Sequence, residues 1–262
     1  MTIRDDRAPL DPDDVVWTVD DGVVGHRRSL LVLPHAGGNA HNYAQWRELL
    51  SDDVRLLIGQ YPGRGARFSE SVPRDIGELA EPVLHCLPDD TDDLVILGHS
   101  MGSLVAFEIA RALTGQGRPP RALIASACRS PFLPNPSPVH AEKLTDDELV
   151  AAIEARGGTD HAILNEPELR EIILPAIRAD FAIDDQYRFS DETARLHCPI
   201  LAIGGADDPI VPAEALARWS EVTDGPASTE FLPGGHFYFQ QQSDAFIAIV
   251  QAVIDGAPVL HE

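Results

Sequence analysis

Six short runs rich in apolar side chains divide this chain: Ser29 to Leu33, Val54 to Gln60, Leu94 to Leu97, Arg121 to Ala127, Cys198 to Ile203 and Ser228 to Leu232. Each has the length of a β-strand. A further short strand is expected at Val15 to Val19. Between the runs lie stretches with helical spacing, about Tyr43 to Leu50, Asp75 to Leu87, Met101 to Ala110 and Asp244 to Ile254. From Met101 to Ala110 the only charged residue is Glu108, as a helix packed beneath a sheet requires. Strands alternating with helices predict an α/β fold, a mostly parallel sheet covered by helices on both faces.

The rhythm breaks after Cys128. Pro131, Pro134, Pro136 and Pro138 stiffen a non-helical stretch, and two helical segments follow, about Thr145 to Arg156 and Glu166 to Tyr187. Thr145-Asp146-Asp147-Glu148 has capping-box spacing. The strand pattern resumes only at Cys198, so residues 129–196 are expected to form a helical insertion, a lid, in a core built from 1–128 and 197–262. Leu149, Ile153, Ile172, Ile173, Ile177 and Phe181 give its helices apolar faces, which suit a movable cover and fixed packing equally.

The candidate chemistry sits where strands end. Leu94 to Leu97 breaks into Gly98-His99-Ser100-Met101-Gly102, a Gly-x-Ser-x-Gly pattern in which a sharp turn lifts the serine oxygen above the sheet, which makes Ser100 the candidate nucleophile. After Leu33 comes Pro34-His35-Ala36-Gly37-Gly38. In a hydrolase with this serine pattern such a loop supplies one oxyanion N–H and the residue after the serine supplies the other, here Ala36 and Met101. The strand from Cys198 ends in Gly204-Gly205-Ala206-Asp207-Asp208-Pro209, where an orienting carboxylate belongs; Asp208 is favoured and Asp207 remains open. The last strand leads to Pro233-Gly234-Gly235-His236, and His236 is the candidate base that closes the order Ser, Asp, His. Acyl transfer to water is the reaction such a set performs, without a cofactor. No two of the ten histidines have ligand spacing near a Cys or Glu cluster, so no metal site is expected.

Composition narrows the partners. The net charge of −22, with no block of Lys and Arg, argues against nucleic acid or an anionic membrane surface. All the basic residues except Lys143 are arginine, whose flat forks suit phosphates and carboxylates; Arg64 and Arg67, in Tyr61-Pro62-Gly63-Arg64-Gly65-Ala66-Arg67, either are solvated or hold such a group. Cys86, Cys128 and Cys198 form no close pair and read as reduced core residues. Met1 to Asp14 carries five Asp and no apolar core, so a secretory leader is not expected and a cytoplasmic location follows. No segment has the apolar length of a membrane span.

Taken together, Pro34-His35-Ala36-Gly37-Gly38, Tyr61-Pro62-Gly63-Arg64-Gly65, Gly98-His99-Ser100-Met101-Gly102 and Gly234-Gly235-His236-Phe237-Tyr238 resemble the type II thioesterases of polyketide and nonribosomal peptide synthesis, which are α/β-hydrolases. The likeness runs from about Ser29 to Phe239, and Leu144 to Tyr187 resembles that family's lid. Ser103 is a departure, standing where the family usually has Ala. The resemblance implies a discrete enzyme that removes acyl groups from the phosphopantetheine arm of acyl or peptidyl carrier domains, to clear stalled or misprimed chains or to release product; a monomer is expected. The alternative with the same triad is a carboxylesterase or lipase for small free esters. A binding module on a hydrolase fold is less consistent, because Ser, Asp and His are all kept. The carrier is expected to be acidic, which long-range attraction to a chain of −22 does not favour.

Overall fold

In the computed structural model, which describes residues 12–19, 28–88, 93–158, 164–191 and 194–257, the apolar runs join one seven-stranded sheet. In chain order the strands are Val16–Thr18 (β1), Arg28–Leu33 (β2), Val54–Gly59 (β3), Leu94–His99 (β4), Ala122–Ser126 (β5), Ile200–Gly205 (β6) and Ala227–Leu232 (β7). They lie in the spatial order β1-β3-β2-β4-β5-β6-β7, with β1 antiparallel to β3 and every other neighbour parallel. The principal helices are Pro12–Val15 (α1), Ile76–Cys86 (α2), Met101–Gly115 (α3), Asp146–Arg156 (α4), Pro167–Gln186 (α5), Ala213–Ala217 (α6), Tyr238–Gln241 (α7) and Ser243–Ile254 (α8). None among the described residues is long and apolar enough to cross a membrane.

Parallel strands are buried on both sides because their crossover helices cover both faces. All of β4, β5 and β6 is buried, and successive residues go to opposite layers. Leu31, Leu33, Ile96 and Leu123 pack with Leu79, Val83, Leu104 and Phe107 of α2 and α3. Leu30, Val32, Leu97 and Ile124 pack with Tyr43, Trp46, Phe246 and Val250, which include residues of α8. After β3 the chain crosses to the other side of β2, so β2 and β4 lie side by side while their outgoing connections diverge. Open α/β sheets place their sites at such a switch point, outside the carboxyl ends of the strands.

Three local expectations need correction. The strand foreseen from Val15 begins at Val16, because Val15 closes α1, and the eleven residues before α1 lie outside the described residues. The helix foreseen at Tyr43 to Leu50 is a pair of 3₁₀ turns, Ala40–Asn42 and Ala44–Glu48. Three-residue periodicity puts Tyr43 and Trp46 on one side, where both are buried against Phe239. Cys128 and Cys198 are core thiols whose burial pushes their pKa up to about 12, whereas Cys86 is only half-buried.

Between β5 and β6 lie α4 and α5. The capping box at Thr145 forms, with Glu148 N–H on Thr145 Oγ1 at 3.3 Å and Thr145 N–H on Glu148 Oε2 at 2.8 Å. Leu149, Ile153, Leu174 and Ile177 join α4 to α5 in a small core of their own. The two helices differ in how they are tied to the sheet domain. From α5, Asp180, wholly buried, accepts Arg64 Nη2 at 2.8 Å and the Gly37 N–H at 2.7 Å, and Arg64 Nη1 also donates to it. Further along, Asp184 accepts Arg129 Nη1 at 2.8 Å, and Tyr187 donates to Glu108 of α3 at 2.6 Å. The second helix of the insertion is therefore pinned to the loop after β2, to the chain after β5 and to α3.

Arg64 and Arg67 are accordingly neither solvated nor free to hold a phosphate. Both are buried: Arg64 faces Asp180, and Arg67 donates to Glu70 at 2.7 Å and to the Gln60 carbonyl at 2.8 Å. The chemistry expected of arginine forks is carried out inside the protein.

Removing one partner from a buried ion pair leaves the other charge without compensation, at a cost of about 3–5 kcal/mol. Asp180→Ala is expected to lower stability by that amount, read as a lower urea midpoint at unchanged slope. The double variant Asp180→Leu with Arg64→Met should recover much of the loss. A midpoint unmoved by Asp180→Ala would show that the pair does not anchor α5.

Candidate active site

The turn from β4 into α3 is held at close range. Ser100 has φ 54° and ψ −128°, outside the ordinary regions for a residue with a side chain, and its N–H is tied to the Ser126 carbonyl at 2.7 Å. Such strain persists only where the surroundings over-determine it. A Cβ at Gly98 would stand 2.2 Å from the Gly102 carbonyl oxygen, and one at Gly102 would stand 2.1 Å from the Leu33 carbonyl oxygen. Both contacts are to backbone, so no rotamer relieves them. Ser103, the departure from the family pattern, donates to the Gly98 carbonyl at 2.7 Å and adds a tie beneath the turn.

The two remaining candidates arrive from neighbouring strands. His236 follows β7 and Asp208 follows β6; Gly205 makes this possible, because a Cβ there would meet the Gly235 carbonyl oxygen at 2.2 Å. His236 Nε2 lies 2.9 Å from Ser100 Oγ, and its Nδ1 lies 2.8 Å from Asp208 Oδ2. The other carboxylate oxygen of Asp208 accepts the Ile210 N–H at 2.8 Å and the Val211 N–H at 3.3 Å, which fixes its plane. The side chains of His236 and Asp208 are 5% and 2% exposed, so water scarcely competes for their bond. Asp207 is exposed, and it contributes its N–H to the Gly234 carbonyl at 2.9 Å. Of the two acids, the structure brings Asp208 to His236.

Two further imidazoles, neither assigned a role by sequence reasoning, stand near His236. The His99 ring centroid is 5.3 Å from that of His236, and the His35 centroid is 6.0 Å from that of His99. Burial pushes the pKa of His35 down to about 3, with the neighbouring His236 and Arg64 acting in the same direction. Burial lowers His99 well below the usual histidine range, aided by His236 and His35. Both stay neutral at physiological pH, so neither adds a charge beside the imidazole of His236. His99 Nδ1 meets Ser126 Oγ at 2.8 Å, and Ser126 Oγ meets the Tyr238 hydroxyl at 2.7 Å, so the ends of β4 and β5 are bonded to the start of α7 just after His236. The available signal was position: both histidines sit inside the strand-end motifs.

A pocket of about 520 Å³, its open mouth included, contains Ser100 and His236. The sheet domain supplies His35, Ala36, Ile210 and Phe237, and nine of the fifteen lining residues come from the insertion, among them Val139, Ile153, Arg156, Ile177 and Phe181. Gly157 and Gly158 let the end of α4 lie against Phe237; a Cβ at Gly158 would stand 2.1 Å from that ring. In the loop after β2, the His35 N–H is directed to the Tyr43 hydroxyl, that of Gly37 to Asp180 and that of Gly38 to the His35 carbonyl. Ala36 is the loop amide left over, and Met101, as first residue of α3, has an N–H with no place in the helical ladder. On the outer side of the insertion His140, Glu142 and Asp185 lie close together, but both Asp185 oxygens already accept backbone N–H groups.

A family model described as Thioesterase domain matches residues 28–254. Thioesterase PikA5 of Streptomyces venezuelae is 38% identical over 216 residues, 81% of this chain and 76% of that protein. The solved type II thioesterase BorB, from the borrelidin biosynthetic cluster, superposes with a TM-score of 0.82 at 33% identity, covering 95% of this chain and 100% of BorB. RedJ, a thioesterase from the prodiginine pathway of Streptomyces coelicolor, gives a TM-score of 0.78 at 31% identity over 94% of this chain and 90% of its own. The strand-end motifs, the mostly parallel sheet and these likenesses agree, and the chain belongs to the thioesterase domain family as a thioester hydrolase with the α/β-hydrolase fold.

Proposed function

We propose that this enzyme hydrolyses acyl groups held on the phosphopantetheine arm of acyl or peptidyl carrier domains of a synthase, with Ser100, His236 and Asp208 as its catalytic residues. The observation that carries the reading is the unbroken hydrogen-bonded line from Asp208 through His236 to Ser100 at the floor of the pocket. Ser100 Oγ attacks the thioester carbon as His236 Nε2 takes its proton; the thiol of the arm leaves with that proton, and the acyl group remains on Ser100. Water, deprotonated by His236, then attacks the acyl-enzyme and releases the acid. Asp208 keeps the proton on Nδ1 so that Nε2 faces the serine. The amides of Ala36 and Met101 receive the oxyanion in both steps, each contributing about 3 kcal/mol at the transition state. No step calls for a cofactor beyond the phosphopantetheine that the substrate brings. The relatives' pathways support a role in clearing stalled chains or releasing product.

With Arg64 and Arg67 turned inward and a net charge of −22, recruitment of an acidic carrier rests on apolar contact. Phe68 and Val72 after β3, and Leu169 and Ile172 on α5, are exposed and available for it. The insertion at 129–196 acts as a cover over Ser100. Because α5 is pinned, α4 is the part that opens.

Ser100→Ala and His236→Ala should each lower thioester turnover by several powers of ten with an unchanged circular dichroism spectrum, since the residues act as a unit. Turnover within tenfold of the parent for either would remove Ser100 chemistry. Asp208→Asn should cost about 10⁴ in kcat, as expected when the imidazole adopts the wrong tautomer, and Asp207→Asn far less; the reverse ranking would transfer the role. A disulfide engineered between α4 and α5 should slow hydrolysis of acyl-carrier substrate until it is reduced, while a small acylating reagent still labels Ser100. Unaltered hydrolysis with the disulfide in place would make the insertion a fixed wall.

A further inference from the structure

Arg156 stands apart from the other arginines around the pocket. Arg64, Arg129 and Arg178 each meet a carboxylate, those of Asp180, Asp184 and Asp146. Arg156, the last residue of α4, meets none among the described residues. Its guanidinium donates to the Ser137 carbonyl at 2.9 Å and weakly to the Ala152 carbonyl at 3.4 Å, and it lies 5.7 Å from the centre of the Phe181 ring. Ser137 and Phe181 both line the pocket that holds Ser100, so the charged head is set in the pocket wall. Two of its five N–H donors are occupied, and the remainder have no partner among the described residues.

The acids nearest to it are committed elsewhere. Asp184 is held by Arg129 and by Asn135 Nδ2 at 2.9 Å. Asp185 accepts Asn135 Nδ2 at 2.8 Å and the N–H groups of Val139 and His140, and burial raises its pKa. For Arg156 the cost of burial outweighs the attraction of both acids, and its pKa is lowered. A partly desolvated cation with spare donors, in the wall of a pocket that Ile153, Ile177 and Phe181 also line and whose one other charged wall residue, Asp184, is held by Arg129, has no anionic partner among the described residues.

We propose that Arg156 is a specificity residue that receives a carboxylate carried by the acyl chain bound at Ser100, so that the enzyme prefers acid-bearing acyl thioesters to neutral ones of equal length. The inference rests on the thioesterase reading above. The other anion a substrate brings is the phosphate of the arm. That phosphate is separated from the thioester by the whole pantetheine chain and leaves toward the carrier, whereas Arg156 shares a pocket with the nucleophile.

The test uses the full-length protein and a dicarboxylic series from succinyl to suberyl, each member paired with the monocarboxylic acyl group of the same length. Every acyl group is presented both on N-acetylcysteamine, which has no phosphate, and on 4′-phosphopantetheine. For at least one chain length the parent enzyme should favour the dicarboxylic member in kcat/KM by about tenfold or more, the contribution of one charge-assisted bond. Arg156→Gln should bring that ratio to about one on both carriers of the thioester, chiefly through KM, and Arg156→Lys should retain part of it. A parent ratio near one at every length, or an equal fall for both members of each pair in Arg156→Gln, overturns the proposal. A loss confined to the phosphorylated arm whatever the acyl group also overturns it, and assigns Arg156 to the phosphate. Hydrolysis of none of these thioesters would overturn the functional reading itself, whereas hydrolysis without dependence on Arg156 overturns this inference alone.

Discussion

The close approach of backbone to backbone under Ser100 is the constraint on which the rest depends. With Gly98 and Gly102 devoid of side chains, the end of β4, the first turn of α3 and the end of β2 come within contact distance. That contact sets the serine at the floor of the pocket beside the loop that presents Ala36. The approach of Gly205 to Gly235 repeats the solution for the other half of the site and brings His236 over Asp208. Three glycines, Gly98, Gly102 and Gly205, thus fix the relative positions of the strand ends, and the side chains complete a geometry that the backbone has already established.

Much of this was legible in the sequence because strand-end chemistry is local. The order of apolar runs gave the parallel sheet, and the residues following β2, β4, β6 and β7 carried Ala36, Ser100, Asp208 and His236 in motifs a few residues long. What stayed hidden depends on contacts between distant segments. The choice between Asp207 and Asp208 turns on which side chain points to His236, a matter of side-chain direction at two adjacent positions. Arg64 and Arg67 resemble surface arginines until Asp180, 116 residues further along the chain from Arg64, is brought beside it. The neutrality of His35 and His99 is a product of burial, and composition contains no trace of it. The 3₁₀ turns at Ala40–Asn42 and Ala44–Glu48 replaced a helix because packing of Tyr43 and Trp46 outweighed a modest propensity.

The charge balance takes on a different meaning once the arginines are placed. In a chain of net charge −22, several of the few cations are withdrawn from the surface to hold the insertion and the loop after β3 in place. Each withdrawn cation takes a carboxylate with it, so the net charge of the surface is unchanged, and the interior contains a small set of charge-assisted bonds that join segments far apart in sequence. Arg156 differs in that it is half-buried in the pocket wall and meets no carboxylate among the described residues.

Asp180 has a consequence for how a protein of this design could change its substrates. One of its oxygens accepts the amide of Gly37, next to Ala36, while its helix supplies Ile177 and Phe181 to the acyl pocket. A shift of α5 that widened the pocket would drag the oxyanion loop with it, coupling the breadth of substrates accepted to the speed of turnover. Variation at α4 and the loop before it meets the oxyanion loop through no buried ion pair of this kind. Diversification of acyl preference should therefore accumulate in α4 and the proline-rich approach to it, leaving α5 as the fixed reference against which new pockets are shaped.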